Sequence, residues 1–146
     1  MITYSDPSAI VGLLLRDSPD HERLVELFLG EDGPIMTSQL TVAEVTSAFM
    51  AAERGARIPS GRYLIEGFEG LCRPGNRIRL LDLRPDVVIG TACQLMERHR
   101  LDALDAIHLA VALTEAAPLA DEEPVRFLTR DRTQAEAARA LGFTVA

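Results

Sequence analysis

The chain has 146 residues, 47% hydrophobic and 25% charged, with a formal net charge of −7. That is enough to bury one sizeable core and too little for two, so a single domain over residues 1–146 is expected. The acidic surplus disfavours simple electrostatic binding of nucleic acid, whose affinity comes largely from phosphate contacts, and two cysteines without metal-site spacing disfavour zinc or a disulfide framework.

Ile2 to Ser5 reads as a strand, followed by a helix from Pro7 to about Arg16 with apolar surface from Leu13, Leu14 and Leu15. A second helix is expected from Asp20 to Leu29. Gly30-Glu31-Asp32-Gly33-Pro34 is turn chemistry, and Ile35 to Thr37 reads as a buried strand leading to a helix from about Thr41 to Arg54, which Gly55 ends. Ser60 to Leu71 is helical, Arg73-Pro74-Gly75-Asn76 breaks it, and Ile78 to Leu83 is the third strand. Arg84-Pro85 opens a helix to about His99, with Cys72 and Cys93 both expected to be buried thiols. Asp102 to Thr114 is a strongly apolar helix, Leu119 to Pro124 a loop, Val125 to Thr129 a strand and Arg132 to Leu141 the last helix. Gly142 stops it, leaving Phe143 to Val145 as a final strand. Strands alternating with helices predict an α/β fold, with a central, mainly parallel sheet of four to five strands and helices on both faces.

Four carboxylates, Asp6, Glu44, Asp105 and Asp131, stand where an apolar run meets the start of a helix. Oxygen ligands in that number suit Mg²⁺ or Mn²⁺, which take a few carboxylates and complete their shell with water and phosphate. Ligands of open α/β sheets gather beyond the carboxyl ends of the strands, and Asp6 and Asp131 fall at such strand-to-helix junctions. Each acid taken singly also reads as a helix cap. Asp6 precedes Pro7, Thr41-Val42-Ala43-Glu44 has the form of a capping box, Asp102 caps its helix with Asp105 at the third position, and Asp131 is followed three residues later by Gln134. Capping alone gives no reason for the acids to share one side of a sheet. Asp105 separates the two accounts, because one helical turn places it beside Leu101, His108, Leu109 and Ala112. An unpaired carboxylate there is costly, and a cation would offset the cost. Asp102 is then the plain cap, and His108 a packed or hydrogen-bonded residue.

All 15 basic residues are arginine, the residue suited to bidentate contact with phosphate or carboxylate. The plain expectation for most of them is solvated faces and helix salt bridges.

Four stretches carry a resemblance to a known family: Tyr4-Ser5-Asp6-Pro7-Ser8-Ala9-Ile10-Val11, then Thr37 to Val45, then Leu101-Asp102-Ala103-Leu104-Asp105-Ala106-Ile107-His108-Leu109-Ala110, and Phe127-Leu128-Thr129-Arg130-Asp131 with Ala137-Ala138 and Gly142 to Val145 behind it. In order, spacing and total length the chain resembles the PIN-domain ribonucleases, and within them the VapC-type toxins of bacterial toxin–antitoxin systems. The resemblance implies that Asp6, Glu44, Asp105 and Asp131 form the acidic metal-binding quartet, with Mg²⁺ or Mn²⁺ as cofactor. It matches Ser8 and Thr129 to hydroxyl positions lining the site. Pro7 departs from the pattern, in which Thr is common; at the first helical position proline keeps the helical φ and gives up an N–H with no intrahelical partner.

The implied activity is hydrolysis of RNA phosphodiesters, with Arg130 and Arg132 beside Asp131 as contacts to the RNA backbone. The implied partners are an RNA substrate, a cognate antitoxin protein that presents an Arg to the carboxylates, and a second copy of the chain in a homodimer. Leu13 to Leu15 and Val42 to Ala52 are available either to that interface or to the core. No membrane segment is expected, since no 18 apolar residues run uninterrupted, and a cytoplasmic location follows. A catalytically silent PIN-like module that only binds is the alternative. Phosphotransfer through an aspartyl phosphate fits poorly, because Ser8 stands where dehalogenase-like enzymes carry a second Asp and the chain has no lysine. The missing lysine also removes the P-loop enzymes.

Overall fold

The structure, a computed structural model, describes residues 1–30 and 32–146, so Glu31 of the expected turn at 30–34 lies outside the described residues. In chain order the elements are β1 (Thr3–Ser5), α1 (Pro7–Leu14), α2 (His21–Gly30), β2 (Ile35–Ser38), α3 (Leu40–Arg54), α4 (Gly61–Leu71), β3 (Ile78–Leu81), α5 (Pro85–Arg98), α6 (Ala103–Val111), β4 (Arg126–Leu128), α7 (Arg132–Ala140) and β5 (Thr144–Val145). The five strands pair in the order β3-β2-β1-β4-β5, every pair parallel. The α/β reading holds.

Period-2 alternation along short buried strands gives the sheet two apolar faces. On one face Tyr4, Met36 and Phe127 pack with Val88, Ala92 and Leu95 of α5, Ala106, Leu109 and Ala110 of α6, and Ala137 and Ala138 of α7. On the other, Ile35 and Ile78 meet Ile10 of α1, Phe28 of α2, Val45 and Phe49 of α3, and Ile65 and Phe68 of α4. The apolar stretches at Leu13 to Leu15 and Val42 to Ala52 are therefore spent mostly on the monomer: Leu15, Val45, Phe49 and Ala52 are buried, while Val42 stays exposed.

Three local expectations are corrected. Thr41-Val42-Ala43-Glu44 is not a capping box, because the chain already has helical dihedrals at Gln39 and the first N–H of α3, that of Leu40, is taken by the Ser38 hydroxyl at 3.0 Å; the Thr41 hydroxyl instead lies 2.7 Å from that of Thr37. The apolar helix from Asp102 is α-helical only to Val111, then widens to a π turn over Ala112–Ala116 and tightens to a 3₁₀ turn over Ala117–Ala120, reaching into the stretch expected as loop. Two local causes coincide there. The Thr114 hydroxyl donates to the Ala110 carbonyl at 2.9 Å, and Pro118 has no N–H to return to the preceding turn. By length and composition Ala103–Ala120 is apolar enough to cross a membrane; 44% of it is buried inside the molecule, with 106 and 108–112 fully enclosed. Cys93, finally, is exposed, and Cys72 is half-buried with its thiol pushed up to about 11 by burial.

The sheet positions the site through its topology. From β1 the chain steps outward to β2 and β3, then returns to the other side of β1 for β4 and β5. The order thus reverses at β1 and β4, and a crevice opens beyond their carboxyl ends.

Candidate active site

Asp6 leaves β1 as the N-cap of α1. Its backbone N–H extends the ladder to the Leu128 carbonyl at 2.9 Å, and its Oδ2 accepts from the Ser8 N–H at 3.0 Å. Pro7 occupies the first helical position, as its fixed φ allows. With 3% of its surface exposed, the Asp6 carboxylate is nearly enclosed, and its Oδ1 accepts from Gln134 Nε2 at 3.2 Å.

Across the reversal point, the end of β4 supplies a second group. Thr129 Oγ1 donates to Gln134 Oε1 at 2.6 Å and accepts from the Asp131 N–H at 3.0 Å. Since its single proton is committed to Gln134, the 3.4 Å contact with Ser8 Oγ has Ser8 as donor. Ser8 Oγ in turn accepts from the Arg130 N–H at 3.0 Å. Asp131 caps α7, its Oδ1 accepting from the Gln134 N–H at 2.7 Å.

Asp105 is half-buried in the first turn of α6. Its backbone N–H is taken by the Asp102 cap at 2.9 Å, so Asp102 is the cap and Asp105 is not. The Asp105 carboxyl itself receives no hydrogen bond or ion pair among the described residues. Burial, and then the charges of Asp102, Asp6 and Asp131, push its pKa up to about 7 against a smaller opposing pull from His108.

Glu44 belongs to a different set of contacts. Its Oε1 lies 2.6 Å from His108 Nε2, and His108 Nδ1 lies 2.8 Å from the Tyr4 hydroxyl. Tyr4 and His108 are fully buried. Burial and the charge of Asp6 hold the phenol protonated well above its ordinary range, so the Tyr4 O–H donates to Nδ1 and an imidazole protonated on Nε2 donates to Glu44. His108 is thus the hydrogen-bonded core residue expected of it.

The structure therefore gathers Asp6, Asp105, Asp131, Ser8 and Thr129 around Gln134, and anchors Glu44 through His108. Among the described residues no three carboxylate, imidazole or thiol groups stand close enough to enclose one ion between them. The donor chemistry nevertheless fits a hard divalent cation. It consists of oxygens only, one carboxyl is left without a donor, and Mg²⁺ keeps several waters while taking one or two carboxylates directly.

Of the two candidate arginines, Arg130 is engaged. Its Nε donates to Asp20 Oδ2 at 3.0 Å, and its terminal nitrogen lies 2.9 Å from Oδ1 but off the hydrogen-bond axis. Arg132 has 92% of its side chain exposed and among the described residues holds only Glu136, one turn away, at 3.3 Å. Sequence reasoning missed Gln134 and Tyr4. The signal for Gln134 was a polar residue in the apolar stripe that Ala137, Ala138 and Leu141 make on α7; the signal for Tyr4 was its position on the core-facing side of β1.

The PIN domain family model matches residues 3–140. Comparison with curated protein sequences gives no match. Among solved structures, the chain is similar to VapC20 of Mycobacterium tuberculosis, a sarcin–ricin loop cleaving toxin, at 16% identity over 97% of this chain and 96% of that one, with a TM-score of 0.67. It is similar to VapBC2 of Rickettsia felis, bound to a DNA fragment from their promoter, at 13% identity over 100% and 98% with a TM-score of 0.65, and to FitAcB of Neisseria gonorrhoeae at 19% over 99% and 96% with a TM-score of 0.60. At such identities the structural likeness speaks for the fold, and the match of the family model over nearly the whole length speaks for descent: the chain belongs to the PIN domain family.

Proposed function

We propose that the protein is a Mg²⁺- or Mn²⁺-dependent endoribonuclease of the VapC type, the toxin component of a toxin–antitoxin pair. The observation that carries this reading is the Asp105 carboxyl. It is half-buried, without a donor, pushed up to about 7 by burial and by neighbouring acids, and it belongs to the crevice where the strand order reverses. Such a group is unfavourable in the isolated chain and becomes favourable when a cation joins it.

In this reading Asp6, Glu44, Asp105 and Asp131 hold the ion, which supplies the Lewis acidity that activates a water and stabilises charge on the scissile phosphate. The protein's own residues do the rest. Asp6, fixed through both oxygens, sets the position of the cation. Ser8 and Thr129 line the approach of the phosphate. Arg132, engaged among the described residues only by its exposed pair with Glu136, reaches the RNA backbone, whereas Arg130 would first have to release Asp20. Single-stranded or looped RNA is the substrate class, because its phosphate can be splayed into a crevice.

The partners in this reading are a cognate antitoxin that covers the acidic crevice with an Arg, and a second copy of the chain in a homodimer, in the cytoplasm. The support is the similarity to VapBC2 and FitAcB. A silent PIN-like binding module is the second reading, and the observation on its side is the engagement of Glu44 by His108 at 2.6 Å. Cleavage of single-stranded RNA in Mg²⁺ or Mn²⁺ decides between them. Activity abolished by EDTA and by Asp6→Asn supports the nuclease; a folded wild type inert in both metals leaves the binding module.

A further inference from the structure

We propose that Gln134 is the positioning residue of the acidic crevice: its buried amide orients Asp6 and ties the helix bearing Asp105 to the helix bearing Asp131, so that the carboxylates hold their places for a divalent cation. The inference rests on the metal-dependent reading above. In the sequence Asp131-Arg132-Thr133-Gln134 has the form of a capping box, in which the Gln side chain would turn back to the Asp131 N–H. The structure divides that motif. Asp131 caps Gln134 N as expected, but Thr129 takes the Asp131 N–H, and the Gln134 side chain is released into the interior.

Every polar group of Gln134 is then spent on the site. Oε1 accepts from Thr129 Oγ1 at 2.6 Å, and Nε2 donates to Asp6 Oδ1 at 3.2 Å and to the Asp105 carbonyl at 3.3 Å. The amide orientation is fixed by chemistry, because the reverse assignment would set its oxygen against two acceptors. The bond to the Asp105 carbonyl is the one hydrogen bond between α6 and α7 among the described residues. Gln134 has no exposed surface, so these bonds are not shared with water.

A neutral donor is what the position calls for. An arginine would neutralise Asp6 and compete with the cation. A glutamate would add a fifth negative charge and offer no donor to Asp6. An apolar side chain would leave the Asp6 oxygen and the Asp105 carbonyl without their buried partner. The amide orients the carboxylate while leaving its full charge for the ion, the relation by which outer groups tune metal ligands.

The test is Mn²⁺ binding, read by the EPR signal of free Mn²⁺ in wild type, Gln134→Met and Gln134→Asn, with thermal melts reporting the folded fraction. Methionine keeps the volume and removes the bonds; asparagine keeps the amide but withdraws it by one methylene. The expected result is a graded loss, with Gln134→Met binding roughly 10- to 100-fold more weakly than wild type and Gln134→Asn between them. A purely structural role would lower the melting temperature and leave the affinity of the folded fraction alone. Folded variants that bind Mn²⁺ within twofold of wild type overturn the inference and leave the metal reading standing. If Gln134→Met does not fold, the asparagine variant decides by the same criterion. A wild type that binds no Mn²⁺ removes both.

Discussion

Asp105 and Tyr4 show how one or two atoms set the behaviour of this crevice. In the metal-free protein the folded Asp105 carboxyl titrates near 7, above the ordinary carboxylate value near 3.8. Between those limits the folded state holds a proton that the unfolded chain has released, so this group's contribution makes stability fall as pH rises from about 4 to 7. Asp105→Asn removes the charge but keeps the backbone N–H that Asp102 caps. In EDTA the variant is expected to match wild type near pH 4 and exceed it by about 1–2 kcal/mol at pH 8, a figure discounted for the half-exposed side chain. Thermal melts across that range check it, and a variant less stable than wild type at pH 8 contradicts it. Tyr4→Phe removes the hydroxyl that donates to His108 Nδ1 in a fully buried pair and is expected to cost about 1–2 kcal/mol, read as a lower urea midpoint at unchanged slope.

Among the elements, the α3–α4 hairpin brings a backbone carbonyl against a helix start, and the approach depends on Gly61. A Cβ at Gly61 would lie 2.9 Å from the Phe49 carbonyl oxygen and 2.8 Å from Met50 Sδ. The carbonyl is helix backbone at a buried residue and cannot yield cheaply. Gly61→Ala is therefore expected to destabilise by about 1–3 kcal/mol, despite the better helix propensity of alanine, and thermal unfolding measures it.

Element identity was legible because each helix and strand carries its own periodicity and its own stop. Asp6-Pro7, Gly55, Gly142 and the apolar alternation of Tyr4, Met36 and Phe127 needed no partner to be read. What was not legible lay where tertiary contacts take over a local motif. Thr41 belongs by sequence to a capping box, yet its hydroxyl sits against that of Thr37, which itself donates to the Ser5 carbonyl at 2.7 Å. Gln134 reads as a cap and serves the crevice. The π turn after Val111 follows from Thr114 and Pro118 acting together on a helix whose apolar pattern continues unbroken. For the same reason, an acidic neighbourhood of Asp6, Asp105 and Asp131 was within reach of the sequence, while the separate anchoring of Glu44 through His108 required the fold.

For the molecule as a whole, parallel order and one reversal point bring Asp6, Asp105 and Asp131 together from three distant parts of a chain that already carries a net charge of −7. On the proposed reading a cation at that point would relieve repulsion that folding alone creates, which would couple metal binding to folding. At 100 times its dissociation constant Mn²⁺ should add about 2.7 kcal/mol, a rise in melting temperature of roughly 5–10 °C, and the rise should vanish in Asp6→Asn. The most direct measurement is anomalous diffraction from a crystal soaked in Mn²⁺. The account predicts one or two peaks in contact with the carboxylates of Asp6 and Asp105. Full occupancy elsewhere on the surface with nothing at that crevice, or no bound ion at millimolar Mn²⁺, would contradict it.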